Sequence, residues 1–222
     1  MHGRLTAILF CWACTPPLLA DEICPAAQSS NNAQHLVEAG WEEYFNDTGV
    51  TVYNRTIQNS EVHEVLATAV LDYPSEQIVS ILSDYPRYIE FMPYVEKSTV
   101  VTQKENSTLL FQQLNFPWPI SDRHFVIELT SKSDNRGSHF ISWTLATETG
   151  DAPTGNGIAL KTDDGYWKLC PINSGNSTYI EYFIHTDPGG ILPFWVINQA
   201  NIQAVPEVIN ALEKRTKSIS SE

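Results

Sequence analysis

Few side chains in this chain are of a type and placement suited to chemistry. Tyr182 and His185, near one strand end, offer a phenol and an imidazole for proton transfer, and Arg123 offers a fixed cation. The six histidines are otherwise scattered. No G-x-S-x-G elbow, H-E-x-x-H pair or phosphate-cradling glycine loop occurs. A guanidinium on an apolar strand is costly unless it is paired. Arg123 therefore calls for a carboxylate, with Asp122 and Glu181 as candidates, for an anionic ligand group, or for a route to solvent at the strand end. Cys11-Trp12-Ala13-Cys14 is a C-x-x-C inside an apolar stretch, without redox or metal context. Cys24 and Cys170 remain, as one disulfide or as two thiols. Nothing implies a metal or a cofactor. Binding is favoured over bond-making.

The elements that must position these groups are mostly short strands. Residues 34–45 carry Leu36, Val37, Trp41, Tyr44 and Phe45 at roughly helical spacing, and predict a first helix. Alternation over 50–54 and 62–71 predicts two strands. Tyr73-Pro74-Ser75-Glu76 opens a helix whose apolar face is Ile78, Val79, Ile81 and Leu82. Strands are then expected over 95–103, 107–116, 123–131, 138–146, 165–171 and 178–186. Phe116-Pro117-Trp118-Pro119 must interrupt the ladder, since proline has no N–H to donate. After Asp187, the breaker run Pro188-Gly189-Gly190-Ile191-Leu192-Pro193 leads into a long amphipathic helix. Its apolar stripe is Trp195, Ile202, Val205, Ile209 and Leu212, with Asn198 the one polar member. Pro206 lies within that stripe.

The chain has 222 residues and a formal net charge of -13, with 13 basic against 26 acidic residues. That balance excludes nucleic acid as a partner, because polyphosphate affinity comes from Lys and Arg. Residues 1–20, with Arg4 ahead of an apolar stretch too short to span a bilayer, read as a signal peptide. The expectation is an exported protein, periplasmic or secreted. Residues 21–33 read as a flexible tail, 34–216 as one domain and 217–222 as a C-terminal tail.

The order of elements, with Phe91-Met92-Pro93-Tyr94-Val95, Ser121-Asp122-Arg123-His124-Phe125-Val126 and Pro188–Pro193 followed by Trp195, Asn198 and Pro206, resembles the START lipid-binding domains. These sit in the helix-grip superfamily of birch-allergen-like proteins and polyketide cyclases. START domains commonly carry Arg-Asp-Phe where this chain has Arg123-His124-Phe125, so a charged pair made by that Asp does not carry over. The resemblance implies an α+β helix-grip fold, a curved antiparallel sheet wrapped around the last helix, with a cavity for a lipid or sterol-like molecule. Strand parity puts Arg123, Phe125, Ile127 and Leu129 on one face, matched by Ile141, Trp143 and Leu145 on the next strand. The cavity or its mouth is assigned to Arg123, Phe125, Ile127, Trp143, Tyr182, Trp195, Asn198 and Ile202. Pro188, Gly189 and Gly190 are assigned to a hinge. The expected partner is a hydrophobic small molecule, with transient membrane contact through Trp118 and Trp195 and the protein acting as a monomer. Two alternatives stand beside it. One is a cyclase or aromatase using His185, Tyr182 or Arg123, and the other is a groove for a partner's apolar segment.

Overall fold

A computed structural model describes residues 23–24, 34–118 and 120–221. The signal-peptide reading and most of the expected tail lie outside the described residues. Ten strands form one sheet: β1 Glu42–Asp47, β2 Val50–Arg55, β3 Glu64–Leu71, β4 Val95–Gln103, β5 Thr108–Leu114, β6 Arg123–Ser133, β7 His139–Leu145, β8 Ile158–Ala159, β9 Thr162–Ile172 and β10 Ser177–Asp187. Their order is β1-β2-β3-β10-β9-β7-β6-β5-β4, all antiparallel, with β8 pairing the start of β6 in parallel. Helix α1 spans Ser75–Leu82 and helix α2 spans Phe194–Ile219, each entered from a proline at the N-cap. A 3-10 turn occupies Tyr85–Glu90. This is the α+β helix-grip architecture that the order of elements implied.

The first helix expected over 34–45 is shorter than its spacing suggested. Only residues 34–38 are helical, and the rest is strand β1, joined to β2 by a tight turn at Thr48 and Gly49. A β-bulge between Glu43 and Phe45 shifts the register there. A bulge adds one residue to the strand period, and that irregular step is what imitated a helical stripe. Helix α2 runs through Pro206 and reaches Ile219, three residues into the stretch expected as tail.

The concave face carries the main core: Val52, Val65 and Ala67 on one half of the sheet, Ile127, Ile141 and Leu169 on the other. Helix α2 buries Ile197, Ile202, Val205, Ile209 and Leu212. It packs most closely over β2, β3 and β10 and against α1, while the 3-10 turn covers β4. The convex face has its own small cluster of Leu36, Trp41, Tyr53 and Leu66, with Tyr166 and Phe183 beside it. Arg55 lies 4.3 Å over the Trp41 ring. Cys24 is bonded to Cys170 of β9, Cα to Cα 5.8 Å, fastening the N-terminal segment to that outer side.

Candidate ligand cavity and its mouth

The grip is not filled evenly. Phe125 and Ile127 of β6 and Ile202 of α2 are buried in the concave core. Trp143, Leu145 and Tyr182 also point inward from the middle of the sheet, yet each stays half-buried. An inward side chain flanked by strands keeps accessible surface only where the space before it is unfilled. Tyr182 shows this most clearly. Its hydroxyl is pushed above the ordinary tyrosine range by burial, with the nearby Asp163 adding to the shift, while the residue as a whole stays only half-buried. It lies stacked on Trp167, centroids 4.0 Å apart, and 6.2 Å from Trp143. Tyr88, whose hydroxyl donates to Leu82 O at 2.6 Å, approaches from the 3-10 turn and is likewise desolvated.

The wall depends on a glycine that composition alone did not single out. A Cβ added at Gly165 would sit 2.2 Å from Cζ2 of Trp143, its cross-strand partner. Only the bare backbone lets the indole lie flat across β9.

Arg123 stands where the strand, the breaker run and the preceding loop converge. It is 2% exposed. Its Nε donates to Pro188 O at 2.6 Å, Nη1 to Ser121 O and to Asp122 O at 3.3 Å, and Nη2 to Gly189 O at 3.4 Å. Backbone carbonyls, not a carboxylate, hold it; Glu181 pairs instead with Lys168 at 3.4 Å, on the outer face. Gly189 and Gly190, at φ of 67° and 82°, make the sharp bend that delivers these carbonyls. The Gly189 N–H in turn donates to Asp187 Oδ1 at 2.9 Å.

Around this latch the two loops present apolar side chains outward. Trp118 is 92% exposed and Ile120 follows on one loop; Ile191 sits on the other, with Phe194 and Trp195 (73%) in the first turn of α2 that it leads into. Trp195 is left in the open while Ile197 takes the buried place in the first turn of α2. Asn198, at the same level, accepts from His63 N at 2.9 Å and donates to Glu61 O at 3.0 Å. It ties α2 to the β2–β3 loop.

His185 lies elsewhere. Ile184 points into the core, so His185 points to the opposite face, where its Nε2 is 3.4 Å from Ser60 Oγ. The sheet separates it from Tyr182. Among the described residues no group of three His, Cys, Asp or Glu side chains gathers as a metal site, and no helix is long and apolar enough to cross a membrane.

A family model described as polyketide cyclase / dehydrase and lipid transport matches residues 71–213. The chain belongs to that family. Within the family its domain is START-like. The human phosphatidylcholine transfer protein is 23% identical over 186 residues, covering 81% of this chain and 85% of that protein. Among solved structures, a STAR-related lipid transfer protein from Xanthomonas axonopodis superposes with a TM-score of 0.72 at 22% identity, covering 80% of this chain and 99% of the other. Human STARD10 superposes at 0.74 with 17% identity, covering 89% and 82%. At these identities the structures share the fold.

Proposed function

We propose that this START-like chain binds a hydrophobic small molecule, of lipid or sterol-like shape, inside the grip and carries it without altering it. The observation that carries the reading is the uncovered inward surface of Trp143, Leu145 and Tyr182 within an otherwise closed apolar core. Burying an alkyl tail there contributes about 0.8 kcal/mol per CH2, so ten methylenes supply on the order of 8 kcal/mol before ordering costs. The family's lipid-transport members and the lipid-transfer relatives point the same way. Cyclase chemistry in this cavity has lost one of its candidate groups, because His185 is on the far side of the sheet. A second candidate, Arg123, has its donors turned to backbone carbonyls.

Exchange takes place at the mouth, where Trp118 and Trp195 rest against a bilayer surface and the Pro188–Gly190 hinge swings the start of α2. Amphipathic indoles suit that interfacial position. The chain acts as a monomer in an oxidising compartment outside the cytoplasm. The Cys24–Cys170 bond supports the compartment, since such bonds persist where thiols are not kept reduced.

Native mass spectrometry of protein taken from its own host tests the reading. A retained lipid-sized ligand on a monomer is expected. A bound polypeptide, or an empty cavity together with turnover of an aromatic or polyketide substrate, would replace it.

A further inference from the structure

One carboxylate faces into the cavity without a cation. Asp163, near the start of β9, shares the inward face with Gly165 and Trp167 and is 8% exposed. Thr186 of β10 donates to its Oδ1 at 2.6 Å, and the indole of Trp143 on β7 lies near enough to add a second donor. The charged groups nearby offer no compensation. Asp164, the next residue, adds repulsion; Lys161 is turned to Asp187 at 3.2 Å; Lys168 is on the outer face with Glu181. The donors of Arg123 are on backbone carbonyls. Among the described residues, none forms an ion pair with Asp163.

A carboxylate accepts about four hydrogen bonds, so two donors leave capacity. The side chains beside it, Trp143 and Tyr182, are the ones with uncovered inward surface. A buried anion with spare acceptors, at the edge of a greasy space and without a cation, is stabilised by whatever donor enters that space.

We propose that Asp163 is the polar anchor of the cavity, receiving a hydrogen-bond donor, a hydroxyl or a protonated amine, at the head of an otherwise hydrophobic ligand. This rests on the carrier reading above and names the ligand class it takes. The tail runs along Phe125, Ile127 and Leu145, and the head lies beneath the first turns of α2, where Asn201 donates to Thr186 O at 2.8 Å.

The test uses matched tails competing with the fluorescence of bound diphenylhexatriene, an uncharged apolar reporter. Hexadecanol is compared with hexadecyl methyl ether, and hexadecylamine with hexadecyltrimethylammonium. The donor-bearing member of at least one pair should displace the reporter at a concentration lower by about tenfold or more. The pair with the larger ratio separates a hydroxyl head from an ammonium head. In Asp163→Leu the ratio should fall to near unity, and in Asp163→Asn it should fall part of the way, with circular dichroism showing both variants folded. Ratios near unity in the wild-type protein, or unchanged in Asp163→Leu, overturn the proposal. A wild-type protein that takes up neither the reporter nor any of the four amphiphiles defeats the carrier reading itself.

Discussion

Arg123 donates from Nε to the carbonyl of Pro188 at 2.6 Å, joining the first residue of β6 to the breaker run that leads into α2. The same guanidinium holds carbonyls of Ser121 and Asp122, so both lips of the mouth hang on one planar group. Lysine cannot reproduce that fork. Arg123→Lys should raise amide hydrogen exchange at Gly189 and Gly190 while leaving the β3–β10 ladder protected. It should cost about 1–3 kcal/mol in denaturant unfolding, from carbonyls left without donors. Unchanged exchange at the two glycines would mean that the lips are held by other contacts.

Asp163 makes stability depend on pH in a defined direction. Burial pushes its carboxyl up to about 6, from 3.8 in an exposed chain. The folded state thus binds more protons than the unfolded one between those values, and stability falls as pH rises from about 4 to 6, then levels. A shift of this size corresponds to about 3 kcal/mol at pH 7. Asp163→Asn should be more stable than wild type at pH 7.5 by up to that amount, and the advantage should vanish near pH 4. A constant difference across the range would remove Asp163 as its source.

Gly165→Ala puts a methyl group where the Trp143 ring lies, 2.2 Å from Cζ2. The indole must leave the sheet surface and enter the cavity. About 1–3 kcal/mol of stability should be lost through overpacking, with weaker reporter binding and altered tryptophan fluorescence. A variant that binds as tightly as wild type would show that Trp143 is not a wall of the cavity.

Replacing Trp118 and Trp195 together by alanine should leave unfolding within about 0.5 kcal/mol, since both side chains are exposed. Transfer of a fluorescent lipid between vesicles should slow by about tenfold, equivalent to about 1.4 kcal/mol of lost surface attraction. Equal transfer rates for the two proteins count against docking through these lips.

Reduction, or Cys24→Ser with Cys170→Ser, opens a link between positions 146 residues apart. A loss of about 2–4 kcal/mol is expected, mainly because the unfolded chain gains freedom. A melting temperature that does not move on reduction would show that this constraint is not felt.

What could be read from residues alone followed the periodicity. Strands β2 to β7, β9 and β10, the two helices and the inward parity of Phe125 and Ile127 are legible, because alternation along a strand leaves little choice of face. Where the period breaks, so does the reading. The bulge at Glu43 and Phe45 disguised β1 as helix, and the two-residue β8 is too short to show any pattern. The site was legible in part. Trp143 and Tyr182 lie on the expected inward strands, but Asp163 falls ahead of the strand expected over 165–171, which in the structure begins at Thr162. Only its placement opposite Thr186, beyond the reach of sequence spacing, sets it apart. Arg123 was singled out for its cost in an apolar strand, yet carbonyls delivered by a bend at Gly189 and Gly190 had no local signal.

The Cys24 bond has a practical corollary. Asp163 marks the mouth end of β9 and Cys170 lies seven residues further along, about 23 Å away and on the convex side. A support coupled to the chain beside Cys24 would therefore hold the protein by its back. The opening would point toward the passing solution, so a sensor chip coated this way would present every molecule ready to load.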